Sequence, residues 1–86
     1  MYRLTRRQAD GSPAAEYENH ILLERLAAFE DMYEALCNRR DHLIQDLDAL
    51  RAQDKTKTVT FKQLLAEKMA LTTMIQRIDF YVKPLK

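Results

Sequence analysis

Apolar side chains recur at alternating steps of three and four residues between positions 22 and 50. This spacing is the heptad seam of a helix that packs lengthwise on another helix. The seam consists of Leu22, Leu26, Phe29, Tyr33, Leu36, Arg40, Leu43, Leu47 and Leu50. Other apolar residues beside the seam, such as Met32 and Ile44, widen the stripe, as in a helix with more than one neighbour. We therefore expect the chain to fold around one long interaction helix.

The composition favours an all-α protein. Hydrophobic residues make up 47% of the chain and charged residues 31%, with one glycine and two prolines, which is typical of a helix-rich, loop-poor protein. A chain of 86 residues forms one domain at most and buries little of its own surface. Cys37 is the only cysteine, which excludes an internal disulfide. We expect such a small helical domain to complete its core with a partner.

The pattern divides the chain into a short basic N-terminal arm over residues 1–12 and a helical hairpin over residues 13–86. Ser12 followed by Pro13 is a favourable helix start, with the hydroxyl as N-cap and proline at the first helical position. We expect the first helix to cover residues 13–53, a length of roughly 60 Å.

A second helix is predicted over residues 61–82, after a polar turn. Thr60 and Gln63 fit a capping box at its start. Its own seam comprises Phe61, Leu64, Lys68, Leu71, Ile75, Ile78 and Val82. Because the turn is short, the two helices are expected to pair as a long antiparallel hairpin with coiled-coil-like packing.

The charges are unevenly distributed along the chain. Residues 14–53 hold nine acidic and four basic side chains, a net charge of −5, and the flanking segments carry +2 and +4. An acidic first helix against a basic second helix favours their pairing. The overall charge of +1 does not indicate a nucleic-acid partner. No signal peptide and no run of about 20 apolar residues is present, so we expect a cytoplasmic protein without a membrane partner.

The second helix, about 33 Å long, is too short to cover all of the first. Large apolar residues between positions 14 and 30 would then remain in water, which favours a homo-oligomer. The predicted oligomer interface consists of Ile21, Leu22, Leu23, Leu26 and Phe29.

One basic residue interrupts each seam: Arg40 in the first helix and Lys68 in the second. Burying an unpaired cation is costly, so each must extend to solvent, pair with an acid such as Asp41 or Glu67, or bind an anion. The last alternative predicts a phosphate or carboxylate site, since guanidinium groups suit bidentate anion recognition. The predicted anion-binding residues are Arg39, Arg40, Lys68, Thr72 and Thr73.

Basic and aromatic residues near both ends are auxiliary candidates for binding phosphate. They are Tyr2, Arg3, Arg6, Arg7, Tyr81 and Lys83. The alternative is a mobile arm and an ordinary basic helix end. The second helix contains no histidine, so we expect no metal site between the helices and no cofactor. The chain has no Gly-rich phosphate loop and no Ser/His/Asp grouping, which argues against an enzyme.

Three segments of the first half carry a resemblance to a known group of proteins. They are Arg3-Leu4-Thr5-Arg6-Arg7, Asp10-Gly11 and Arg25-Leu26-Ala27-Ala28-Phe29-Glu30-Asp31. The chain resembles small phage and prophage accessory proteins of Gram-positive hosts, which carry R-L-T-x-R, D-G and R-L-A-A-Y-E-D in this order. The resemblance covers residues 2–31 and implies a phage or prophage origin, with the host cytoplasm as location.

Small phage proteins of this kind commonly act by binding, which leaves three hypotheses for this chain. The first is a protein that antagonises bacterial antiviral defence by sequestering a nucleotide immune signal, favoured by the basic seam residues. The second is a stoichiometric inhibitor of a host defence protein such as a CRISPR nuclease, favoured by the acidic first helix. The third is a structural coiled-coil adaptor, favoured by the heptads.

Overall fold

The computed structural model describes residues 3–82 and contains four elements. In chain order they are β1 (Thr5–Arg7), β2 (Pro13–Ala15), α1 (Asn19–Ala52) and α2 (Val59–Tyr81). Helices account for 71% of the described residues, so the chain is mostly helical, but strands β1 and β2 mean that the predicted all-α class is confirmed only in part. Tertiary contacts divide the chain into a first unit that ends at Met32 and a second unit that begins at Tyr33. Neither described helix has an apolar run sufficient to cross a membrane.

The predicted N-terminal arm is a small antiparallel β-hairpin. Strand β1 pairs with β2, with Thr5 opposite Ala15. The turn between them needs Gly11, whose φ of 90° lies in the left-handed region. A carboxylate oxygen of Asp10 accepts hydrogen bonds from the backbone N–H and the hydroxyl of Ser12, at 2.9 and 2.6 Å. These two bonds lower the pKa of the Asp10 carboxyl and hold the turn closed.

The first helix begins at Asn19, so the predicted start at residue 13 is wrong. The hydroxyl of Ser12 binds Asp10 in the hairpin turn and does not cap a helix. Pro13 lies at the start of strand β2, a position that tolerates a residue without a backbone N–H. Short polar side chains such as Ser12 and Asp10 can form local hydrogen bonds that compete with a helix. Here residues 13–15 pair with β1 as a strand and do not start a helix.

In the second unit, α1 and α2 pack against each other along the predicted seams. Its most buried side chains are Leu43 and Leu47 of α1 with Phe61, Leu71 and Ile75 of α2. The remaining seam positions from residue 33 to residue 78 are half-buried. Polar contacts join Tyr33 to Asp79 and Arg39 to Glu67, so later residues of α1 meet earlier residues of α2 and the pair is antiparallel. Coiled-coil packing in the strict sense stays a prediction.

Helix α1 ends in a Schellman motif. The N–H of Lys55 donates to the carbonyl of Leu50 at 2.9 Å, and the N–H of Asp54 donates to the carbonyl of Arg51 at 3.0 Å. Asp54 takes the left-handed conformation that this motif requires, with φ of 58°. Aspartate tolerates this conformation better than most residues, so the chain turns here without a glycine.

Helix α2 begins at Val59, two residues before the predicted start. Its N-cap is Thr58, whose hydroxyl oxygen accepts a hydrogen bond from the N–H of Phe61 at 3.1 Å. The predicted capping box at Thr60 is therefore wrong. Thr58 has an extended backbone, which is the conformation of an N-cap, whereas Thr60 already lies inside the helix.

Candidate functional site

The two cations of the seams lie half-buried in the second unit. The Arg40 side chain is 31% exposed, and its Nε lies 3.5 Å from a carboxylate oxygen of Asp41. Lys68 is half-buried and makes no ion pair with any residue of the described range 3–82. Arg40 thus has a loosely placed acidic neighbour, whereas the charge of Lys68 has none.

Arg39, which precedes Arg40, is committed to a contact between the helices. Its Nε and Nη2 donate to the two carboxylate oxygens of Glu67 at 2.9 and 3.0 Å. This paired geometry lowers the pKa of the Glu67 carboxyl through the hydrogen bonds and the charge of Arg39. An anion that binds Arg39 must therefore displace Glu67.

The two threonines of the predicted anion site use their hydroxyl protons within α2. Thr72 donates to the carbonyl of Lys68 at 2.9 Å, and Thr73 donates to the carbonyl of Met69 at 3.1 Å. A phosphate or carboxylate oxygen accepts hydrogen bonds and needs donors. The donors of the predicted site are therefore Arg40 and Lys68.

The arginines of the N-terminal segment stabilise the β-hairpin. The contacts are Arg3 Nε to the Thr5 carbonyl at 3.2 Å, Arg6 Nε to Glu16 Oε1 at 2.7 Å and Arg7 Nη1 to the Gly11 carbonyl at 2.9 Å. All three donors remain solvent-exposed but already have acceptors. Two further auxiliary candidates, Tyr2 and Lys83, lie outside the described residues.

Tyr33 and Asp79 form a short contact between the helices, which the sequence pattern does not show. The Tyr33 hydroxyl donates to a carboxylate oxygen of Asp79 at 2.6 Å. This bond, together with desolvation and the charge of Asp79, raises the pKa of Tyr33 to about 12. The pair holds a neutral phenol against a carboxylate.

An open cleft of about 430 Å³ lies on the second half of α2. It is lined by Thr73, Gln76, Arg77, Phe80 and Tyr81. The Phe80 and Tyr81 rings are 72% and 75% exposed, and they meet edge to face with centroids 5.2 Å apart. Arg77 makes no ion pair within the described part of the chain. The cleft combines a cation, an amide and two aromatic rings.

Of the residues that line this cleft, Tyr81 is among the predicted auxiliary residues and Thr73 among the predicted anion-binding residues. Gln76, Arg77 and Phe80 were not predicted. The sequence does carry a signal for them, because positions 73, 76 or 77, and 80 recur at steps of three and four on the side of α2 away from its seam.

The predicted oligomer interface lies in the first unit and is unevenly exposed. Leu23 is 64% exposed and Leu26 is 52% exposed. Ile21 is also exposed, whereas Leu22 and Phe29 are half-buried. Three large apolar side chains of this interface therefore face solvent, and the interface itself stays a prediction.

A second open depression, of about 580 Å³, lies in the first unit. It is lined by Ala15, Glu16, Tyr17, Glu18, His20 and Ile21. Glu16 is paired with Arg6, and the Nδ1 atom of His20 lies 3.3 Å from a carboxylate oxygen of Glu18. Within residues 3–82, no group of three or more His, Cys, Asp or Glu side chains is arranged to hold a metal ion.

Among the described residues, hydrogen-bond donors that could bind an anion lie in two places. One is formed by the half-buried seam cations Arg40 and Lys68, and the other is the cleft on α2 with Arg77. Comparisons of the chain with protein-family models, with curated proteins and with solved structures find no match.

Proposed function

We propose that the chain is a non-enzymatic binding protein of phage or prophage origin that antagonises bacterial antiviral defence. The resemblance of residues 2–31 supports the origin. The scarcity of buried side chains supports action by association, because only six of the described residues are buried and only Leu43 and Leu47 among them are less than 2% exposed. So small a core is completed by a partner, a second copy of the chain above all.

The ligand that we propose is a nucleotide immune signal. The observation that carries this proposal is Lys68, a half-buried cation without an acidic partner among the described residues, on the same helix pair as Arg40. A half-buried positive charge is stabilised by an anion that reaches it, and phosphate groups are anions that both lysine and arginine bind well.

A host defence protein, for example a CRISPR nuclease, is the alternative target. The exposed apolar side chains Leu23 and Leu26 favour this reading, because large solvent-exposed apolar groups mark protein-binding surfaces. A structural adaptor without a ligand is the third reading, and the heptad seams alone support it.

Thermal unfolding with a nucleotide panel tests the proposal. The panel contains cyclic dinucleotides, cyclic trinucleotides and ADP-ribose derivatives, and the variants are Arg40→Met and Lys68→Met, which remove the charge and keep most of the stem. A nucleotide at 100 times its dissociation constant stabilises the folded protein by about 2.7 kcal/mol, or several degrees in a domain of this size. We expect this shift in the wild type and a loss of it in at least one Met variant or in a variant of the α2 cleft. Lys62→Met is the matched control, since Lys62 is exposed on α2 and makes no ion pair within residues 3–82.

The opposite result has a distinct signature. If no nucleotide shifts the melting temperature and both Met variants melt higher than the wild type, the cations merely interrupt the seam. Replacing buried charges by apolar residues is then stabilising, as is often observed. That outcome contradicts the nucleotide reading and leaves the protein-binding and adaptor readings.

A further inference from the structure

We propose that the cleft on α2 lined by Thr73, Gln76, Arg77, Phe80 and Tyr81 binds a nucleotide, with the base stacked on an aromatic ring and a phosphate at Arg77. The inference rests on the proposed function, and it adds a nucleotide site on the outer face of α2 to the one at the seam cations.

The positive charge of Arg77 is available to a phosphate, since no ion pair of residues 3–82 involves it. Arg39, Arg40 and Arg6 each have a carboxylate within 3.5 Å, but Arg77 has none within residues 3–82. Its five N–H donors are thus not committed to an acidic side chain of the described structure, and their fork geometry matches two phosphate oxygens. A phosphate that binds Arg77 displaces no existing partner, in contrast to one that binds Arg39.

The exposed rings of Phe80 and Tyr81 offer stacking surfaces for a nucleobase. A nucleobase binds to proteins chiefly by stacking on exposed aromatic rings, which tolerate any base because every base has a π-face. Phe80 and Tyr81 are among the most exposed large side chains of the described structure. They meet edge to face at an interplanar angle of 86°, so their ring planes point in different directions. Because an edge-to-face contact covers a face of only one ring, each ring keeps at least one face on which a base can stack.

The dimensions of the cleft suit a small ligand. Its volume of about 430 Å³ lies in the range of small-molecule sites, which is about 300–1,000 Å³. Five lining residues on about two turns of one helix suffice for a base and a phosphate.

The charge distribution of α2 determines which end of the cleft holds the phosphate. The last carbonyls of α2 carry partial negative charge and repel a phosphate near the end of the helix. Arg77 precedes Phe80 and Tyr81 by about one turn, roughly 5 Å along the axis. The phosphate therefore lies toward the N-terminal side of the cleft and the base toward Phe80 and Tyr81. The amide of Gln76, one residue before Arg77, supplies a donor group and an acceptor group at the phosphate side of the cleft.

Isothermal titration calorimetry on the full chain tests the site. The probes are cyclic di-AMP, cyclic tri-AMP and ADP-ribose, with adenosine and inorganic phosphate as the separate halves of the ligand. Arg77→Gln removes the charge and Phe80→Ala removes a ring; both side chains lie on the exposed face of α2, so the fold should be retained. Lys62→Gln and Met69→Ala are matched controls, because both residues are exposed on α2 and neither lines the cleft.

The cleft is supported if Arg77→Gln and Phe80→Ala each weaken the best probe about tenfold or more, while the two controls, Lys62→Gln and Met69→Ala, bind as the wild type does. If the probe binds unchanged to both cleft variants and weakly to Arg40→Met or Lys68→Met, the cleft is wrong and the proposed function stands. If no probe binds the wild type, both fail. If a single-stranded oligonucleotide binds more tightly than any probe and the same cleft variants lose this binding, the cleft binds a nucleic-acid strand. That result overturns the proposal of a small nucleotide ligand.

Discussion

Two side-chain contacts between the helices stand out at the scale of single residues. Tyr33, a member of the α1 seam, binds Asp79, and Arg39, beside that seam, binds Glu67. An apolar seam with a heptad repeat tolerates a shift of one heptad, whereas a hydrogen-bonded pair does not. We infer that the two contacts fix the register of α1 against α2.

Tyr33 offers a spectroscopic test of its contact. The hydrogen bond to Asp79 raises the pKa of Tyr33 from 10.0 to about 12 in the folded protein. A raised pKa means that the folded state holds the proton more tightly, so this contribution to stability is present below pH 10 and is lost as the pH rises toward 12. In an ultraviolet pH titration, the absorbance of the wild type minus that of Tyr33→Phe isolates the ionisation of Tyr33. This difference should rise with a midpoint near pH 12.

The acceptor provides the control for this titration. Asp79→Asn removes the negative charge and keeps the size of the side chain, so the midpoint should fall toward 10. A wild-type midpoint near 10 would show that the Tyr33–Asp79 bond is not formed in solution.

The pair of Arg39 and Glu67 predicts a loss of stability in acid. Its hydrogen bonds lower the pKa of the folded Glu67 carboxyl below 4.5. The stabilisation is present above that value and is lost as the pH falls through the folded pKa. At neutral pH, Glu67→Gln should melt below the wild type, and the two should converge in acid and, since both side chains are about half exposed, in high salt.

Glu34→Gln is the matched control for this comparison, because Glu34 is exposed on α1 and makes no ion pair within residues 3–82. It should melt within a degree or two of the wild type at neutral pH. Equal melting temperatures for Glu67→Gln and the wild type at neutral pH and low salt would contradict the paired geometry.

At the scale of the elements, the ends of the helices are set by local capping. The Schellman motif around Asp54 closes α1, and Thr58 opens α2 four residues later. The six residues from 53 to 58 therefore reverse the chain with backbone groups satisfied at both ends. This reversal is what brings the two seams of the second unit together.

Thr58→Ala should destabilise the second unit by about 1 kcal/mol, since the N–H of Phe61 loses its acceptor. In a domain of this size, that corresponds to a melting temperature lower by about 4–8 °C, measurable by circular dichroism. Thr60→Ala is the control, because Thr60 lies inside α2 and is exposed. A larger loss for Thr60→Ala than for Thr58→Ala would restore the capping box that the sequence predicts.

At the scale of the whole molecule, few side chains of residues 3–82 are deeply buried. In this range the buried apolar residues are Leu4, Leu43, Leu47, Phe61, Leu71 and Ile75. Twice as many large apolar residues of the same range are exposed, Leu23 and Leu26 of the first unit among them. Burial of such side chains contributes about 1.5–3 kcal/mol each, so association of copies through them would add substantially to stability.

Leu26→Glu should dissociate the predicted oligomer, because it places a charge in a dry contact. Light scattering at micromolar concentration should show a dimer or larger assembly for the wild type and a smaller species for the variant. Met69→Glu is the control, since Met69 is similarly exposed but lies on α2, outside the predicted interface. A wild-type monomer with a cooperative melt would contradict the prediction.

Local periodicity determined the parts of the fold that depend on neighbours in the chain. The steps of three and four predicted both helices, and the buried residues Leu43, Leu47, Leu71 and Ile75 all lie on the predicted seams. The end of α1 and both ends of α2 fall within two residues of the prediction. A helix is specified by residues close in sequence, and its stripe of apolar side chains identifies the one face of the helix that is buried.

Only the tertiary structure decided the contacts between residues far apart in the chain. Ser12 and Pro13 satisfy the local rules of a helix start, yet pairing with β1 places them in a hairpin. The sequence does not show whether Arg39 or Arg40 pairs with Glu67. In the structure, the orientation of α1 about its axis places Arg39 against Glu67. The cleft around Arg77 likewise depends on which face of α2 is covered. Such choices rest on relative positions in space, which a periodic pattern along one helix does not contain.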